Sequence, residues 1–173
     1  EWGHTAAASK KVPGDNEDDL KKVFEKLYVH FVSQGTPVYL GEFGCVNRST
    51  EREQAFQQYY LKFFAKLSKT YGVPCLLWDN GAKGYGEESS AFINHGNGEY
   101  SSPEAKAAMP ALVGPYVTSL TLSDVYRNAP KEQYENETFS YNCRDFGNHV
   151  VRGAAGTCSD SCRRPHGPPF RIG

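Results

Sequence analysis

Two short apolar runs, each ending in polar residues, constrain this chain more than anything else in it. The first is "PVYLGEFG", residues 37–44, and the second is "VPCLLWDN", residues 73–80. Each follows a segment with helical periodicity. In residues 16–34, Leu20, Val23, Phe24, Leu27 and Phe31 recur at intervals of three and four. Asp15 is the expected cap, Glu17, Asp18 and Asp19 suit the positive end of a helix, and Gly35 suits a left-handed stop. Thr50-Glu51-Arg52-Glu53 has the pattern of a capping box. It opens a second helix to about residue 70, with Phe56, Tyr60, Phe63 and Leu67 on one face and Gly72 closing it. Ser102 followed by Pro103 predicts a third helix over residues 103–113.

The order helix, strand, helix, strand, helix specifies an α/β fold with parallel strands and right-handed crossovers. The strand runs are continuously apolar rather than alternating, which predicts cover on both sheet faces. Both runs turn polar at their C-terminal ends, at Glu42 and at Asp79-Asn80. Chemistry concentrates at that end of the strands in barrels and open α/β sheets.

Charge narrows the function classes. Nineteen basic and 20 acidic side chains leave a net charge of −1, so no electrostatic case exists for nucleic acid or an anionic membrane. No apolar run is long enough to span a bilayer. Five cysteines leave at least one thiol unpaired or shared between chains. Cys143, His149, Cys158 and Cys162 are spaced as C-x5-H-x8-C-x3-C, which fits no compact zinc motif, so no metal is expected. Asn47 and Asn136 head N-x-[ST] triplets, which arise often by chance.

Glu42 has two readings. As a structural group it would cap the next helix or pair with Arg48 or Arg52. As a catalytic carboxylate it needs a rigid strand end, small neighbours and an aromatic surface nearby. Gly41 and Gly44 supply the small neighbours, and Trp78, at the mouth of the second run, supplies the surface. A flat indole beside a carboxylate suits a sugar ring, whose C–H face stacks on the aromatic while carboxylates act on the acetal.

"GTPVYLGEFGCVNR", the tyrosine-rich helix after it and "YGVPCLLWDNG" together resemble glycoside hydrolase family 5, and within it the endoglucanase-rich subfamily 4. "EWGH" looks like the Trp-Gly after the sixth strand of these enzymes, and "LTLSDVYRNAP" is similar to their closing segment. The resemblance covers about residues 1–130. It implies the C-terminal portion of a (β/α)8 TIM barrel, about two βα units plus flanking helices. Residues 1–113 would be the partial barrel, residues 114–130 the closing segment and residues 131–173 an irregular tail.

The resemblance also implies a secreted, retaining endo-β-1,4-glucanase acting on cellulose-type β-glucans with no cofactor. Glu42 matches the nucleophile of the G-E-[FY]-G motif, and Trp78 the sugar platform of W-D-N-G. Asn80 and Trp2 are expected to bind substrate as well. The family's acid/base glutamate sits in an N-E-P motif, and this chain has none. Glu87 and Glu88, in a glycine-rich loop, are the nearest substitutes, although solvated loop residues are the simpler reading. A whole barrel takes about 250 residues, so open barrel edges and self-association are expected. The rival readings are a non-catalytic carbohydrate-binding remnant and an unrelated α/β protein with a chance G-E-F-G.

Overall fold

A computed structural model of the chain describes residues 1–7, 16–86 and 88–131. The elements are α1 (Glu17–His30), a short 3-10 turn (Val32–Gln34), β1 (Leu40–Phe43), α2 (Glu51–Tyr71), β2 (Cys75–Leu77), α3 (Pro103–Val117) and α4 (Leu122–Arg127). β1 and β2 pair in parallel as a two-stranded sheet. The expected residues 131–173 tail lies outside the described residues beyond Lys131, as do Asn136 and Cys143, His149, Cys158 and Cys162.

α2 is the spine. Its N-cap is Thr50, whose hydroxyl accepts from the Glu53 amide, and Gly72 ends it at φ 66°. Two apolar clusters use opposite flanks of this one helix. Tyr59, Phe63, Phe64 and Leu67 join Phe24 of α1 and Val125 of α4. Leu61 joins Phe92 and the small residues Ala105, Ala108 and Ala111 of α3. Those alanines let α3 approach α2 closely. Each fully buried Phe or Leu here contributes about 1.5–3 kcal/mol. The single stripe expected from the sequence is therefore too narrow: α2 is gripped on two sides, and Tyr59 and Phe64 are buried where Tyr60 is only half-buried.

Several boundaries move. The α1 cap is Asn16, whose side chain accepts from the Asp19 amide at 3.0 Å; the expected Asp15 lies outside the described residues. α3 runs on through Gly114 and Pro115 to Val117. Lys69 at the end of α2 donates to the Tyr116 and Thr118 carbonyls, holding this last turn against α2. Strand pairing is shorter than the apolar runs, because among the described residues β1 and β2 have only each other as partners. Among the described residues the sheet is covered on one face only. Phe43 and Leu77 pack against the helices, and the Phe43 ring stacks on Phe64 at 4.0 Å. Leu76, by contrast, is 56% exposed. The expectation of two covered faces is overturned because all the described helices that touch the sheet lie on the same side.

The N-terminal segment is tied down by a buried carboxylate. Glu17 opens α1 yet is only 4% exposed. Its Oε1 accepts from the His4 amide at 2.9 Å, from His4 Nδ1 at 2.7 Å and from the Tyr59 hydroxyl at 2.8 Å. Burial works to raise the Glu17 pKa, but these hydrogen bonds outweigh it and hold the carboxyl below its ordinary range. The His4 ring stacks on Tyr126 of α4 at 3.9 Å. Gly3 has φ 92°, and a Cβ there would sit 2.6 Å from Glu17 Oε1.

Gly3→Ala is therefore expected to destabilise the fold by roughly 1–3 kcal/mol, from left-handed strain plus overpacking. Denaturant unfolding followed by circular dichroism measures this. An unchanged midpoint would mean that residues 1–7 do not dock in solution.

Candidate active site

The parallel pairing decides which side chains meet. Phe43 lies opposite Leu77, and the Trp78 amide donates to the Phe43 carbonyl at 2.7 Å. Paired residues of parallel strands point to one face, and their neighbours along the chain to the other. Phe43 and Leu77 face the helices, so Glu42, Gly44, Leu76 and Trp78 take the open face. Exposure agrees: Glu42 is exposed and Trp78 is 50% exposed. A Cβ placed on Gly44 would lie 3.6 Å from Trp78 Cβ and 3.4 Å from its carbonyl. Gly44 is thus the small residue that lets the two strand ends close up. Gly41 has no such role among the described residues, since a Cβ there would meet only the Tyr39 ring at 4.0 Å.

The register slips between Leu40 and Phe43, so Gly41 and Glu42 together oppose Leu76. Such irregularities bend a strand and re-aim a side chain. The structural alternatives for Glu42 are not taken up. Thr50, not Glu42, caps α2. Arg52 pairs with Glu1, Nε to Oε1 at 2.6 Å, and its guanidinium lies 5.3 Å from the Phe56 ring centre. Among the described residues no hydrogen bond or ion pair engages the Glu42 carboxylate.

Asp79 and Asn80 work on the backbone around the open face. Asp79 Oδ2 accepts from the Phe92 and Ile93 amides at 3.0 and 2.7 Å, and Oδ1 from the Gly81 amide at 2.9 Å. His95 Nε2 stands 3.3 Å from Oδ1. Burial alone would raise the Asp79 pKa. The three amide bonds and His95 more than offset it, so the carboxyl titrates below its ordinary range. Asn80 donates to the Glu88 carbonyl at 2.7 Å and accepts from the Ala82 and Ser90 amides. Its amide is thereby spent on the loop. Glu88 sits at φ 62°, a left-handed conformation uncommon outside glycine, held in part by that bond. Glu87 lies outside the described residues.

The sequence singles out Asn47 only as the head of an N-x-[ST] triplet of a kind that arises often by chance. Here its Nδ2 donates to the Ala91 carbonyl at 3.3 Å, its amide to the Ser89 carbonyl at 2.6 Å, and its own carbonyl accepts from Gly86 at 3.0 Å. Asn47 thus staples the loop after β1 to the loop after β2. Composition gave no sign of this; an Asn three residues past a strand-end glycine is the only local signal.

Trp2 is placed elsewhere. Its ring packs on α2, 5.5 Å from Tyr59, 5.2 Å from Tyr60 and 5.7 Å from Phe63. It lines a cleft of about 390 Å³ with Asp19, Arg48, Glu53 and Tyr60. Cys45 borders the same cleft. Burial pushes its thiol up to about 12, although hydrogen bonding to Gln57 works against this, so it is no nucleophile at neutral pH. Cys45 and Cys75 are free thiols.

The Asp79 geometry carries a pH signature. A carboxyl with a lowered folded-state pKa contributes stability above its unfolded value, and loses it as pH falls through the folded value. Asp79→Asn should lower unfolding free energy at pH 6 and narrow the difference between pH 6 and pH 3. Equal pH sensitivity in the variant and the parent chain would show that the carboxylate does not hold these amides.

Residues 3–84 match the family model of cellulases, glycosyl hydrolase family 5. Endoglucanase A of Paenibacillus barcinonensis is 34% identical over 100 residues, covering 56% of this chain and 24% of that protein. A Bacteroidetes-affiliated GH5 cellulase linked with a polysaccharide utilization locus superposes with a TM-score of 0.71 at 30% identity, over 76% of this chain and 34% of that one. The GH5-4 broad specificity endoglucanase from Bacteroides salanitronis gives a TM-score of 0.63 at 36% identity, over 68% of this chain and 31% of that one. The chain therefore spans about a quarter to a third of the length of these relatives. Residues 3–84, which carry the parallel β1–α2–β2 unit, are thus similar to the corresponding part of glycoside hydrolase family 5.

Proposed function

We propose that this chain is the C-terminal portion of the (β/α)8 barrel of a secreted, retaining endo-β-1,4-glucanase, with Glu42 as nucleophile and Trp78 as the sugar platform. The observation that carries the reading is the shared open face of Glu42 and Trp78 at the C-terminal ends of two parallel strands. The one-sided sheet supports the barrel. In a closed barrel the face bearing Glu42, Leu76 and Trp78 lines the interior and mouth, and the helices stand outside.

The chemistry follows from two carboxyl groups. A Glu42 oxygen attacks the anomeric carbon, and the bond from that carbon to the leaving oxygen breaks. A carboxylic acid about 5–5.5 Å away gives its proton to the leaving oxygen. Water then attacks the same carbon and loses a proton to that carboxylate, and the ester to Glu42 breaks. Trp78 offers its ring to the C–H face of the sugar and holds the anomeric carbon over Glu42. Asn80 acts on substrate through the loop that it fixes. Trp2 lines a separate cleft beside Tyr60, and its expected contact with substrate is not part of this reading. The acid/base glutamate comes from the part of the barrel that carries N-E-P, a motif absent here.

A second reading is favoured by that same absence and by the open strand edges. It holds that the chain alone binds β-glucan, or associates with its own copies, without hydrolysing it. One experiment separates the two. Carboxymethylcellulose hydrolysis is measured for the 173-residue chain and for the chain joined to N-E-P-bearing barrel strands. Glu42→Gln should abolish turnover in the joined protein while leaving cello-oligosaccharide binding within about threefold, since the change is nearly isosteric. In the chain alone, turnover should already be lower by about 10²–10⁴-fold, for want of the acid. Full turnover by Glu42→Gln in the joined protein would remove Glu42 from the mechanism. Binding without turnover in both proteins would leave the second reading.

A further inference from the structure

The loop after β2 carries an aromatic that the reading above does not use. Tyr85 is 57% exposed. Among the described residues its ring meets no other aromatic ring, and its hydroxyl has no hydrogen-bond partner. It stands between Gly84 at φ 113° and Gly86 at φ 85°. A Cβ on Gly86 would meet nothing within 4 Å, so glycine is there for the backbone turn and not for space. Two left-handed turns put Tyr85 at the tip of the loop.

That tip is mounted on a fixed frame. The Gly86 amide donates to the Asn47 carbonyl at 3.0 Å, and the Ser89 amide to the Gly86 carbonyl at 3.2 Å. Asn80 gathers Ala82, Glu88 and Ser90, and Asp79 anchors Gly81 at one end of the loop and Phe92 at the other. Asn47 follows Gly44, which packs against Trp78, so the frame stands at the same strand end as Glu42 and Trp78. An exposed ring on such a frame has little ordering left to lose when a ligand arrives.

The surroundings choose the ligand class. Tyr85 is flanked by glycines, with Lys83, Glu88 and Ser89 close in sequence. This is no contiguous apolar patch of the kind a protein partner buries. A lone amphipathic ring among polar groups suits a pyranose, which brings C–H bonds to the π face and hydroxyls to the phenol.

We propose that Tyr85 is a second stacking position for a β-glucan chain, taking a glucosyl ring other than the one at Trp78 and favouring long oligosaccharides over short ones. This rests on the reading of Glu42 and Trp78 as one sugar-binding face. Calorimetric titration of the 173-residue chain with cellobiose and with cellohexaose tests it. Tyr85→Ala should weaken cellohexaose about tenfold and leave cellobiose binding and the unfolding midpoint unchanged. Tyr85→Phe should keep cellohexaose within about threefold, because the ring and not the hydroxyl does the stacking. Trp78→Ala should weaken both ligands. Unaltered cellohexaose affinity in Tyr85→Ala, with both ligands weakened in Trp78→Ala, would overturn the Tyr85 position and spare the sugar-binding face. A parent chain that binds neither ligand would overturn both.

Discussion

Two strands joined by one helix pair in parallel only if the helix crosses back over a face of the sheet. In this chain that helix is α2, and the rest of the arrangement follows from it. α2 puts Phe64 on Phe43 and so assigns Phe43 and Leu77 to the covered face. α1, α3 and α4 then pack on the flanks of α2 rather than on the far side of the sheet. The other face, with Glu42, Leu76 and Trp78, is left open as a consequence of connectivity. A charged group at a strand end is tolerable there because water or a ligand, and not a hydrocarbon core, lies against it.

The polar residues near that face divide into those that frame it and those turned toward solvent. Asp79, Asn80 and Asn47 spend their hydrogen-bonding capacity on main-chain groups of residues 81–93. Loop amides cannot find a sheet or helix partner, so side chains supply one. Glu42 is in the opposite condition, with no described side chain competing for it. A carboxylate left free at a strand end beside a framed aromatic stays available to a ligand.

Much of this was legible in the chain itself. The presence of α1, the span of α2 and the start of α3 at Pro103 follow from apolar periodicity, Thr50 and Ser102 as caps, and Gly72 as a stop, although α1 ends at His30 where a helix over residues 16–34 is expected. These signals are local, so they survive without knowledge of the partners. The extent of the strands, the second buried flank of α2 and the seat of Trp2 on Tyr60 were not legible. Each depends on which element arrives from a distance, and residue spacing carries no record of that. The continuous apolar runs read as doubly covered strands. Their open side is lined by Leu76 and Trp78 because no element among the described residues crosses that face.

The sequence by itself determined the α/β order, the parallel direction of the strands and the placing of Glu42 and Trp78 at strand ends, because period and punctuation act within a few residues. Only the tertiary structure decided that Glu42 and Trp78 share one face, that Asp79 and Asn47 build the frame around it, and that Glu17 fastens residues 1–7 to α2 and α4. The reason is physical. A side chain's face depends on strand register, and its hydrogen-bond partner on where a crossover brings the backbone. Both are set by packing between segments far apart in the chain.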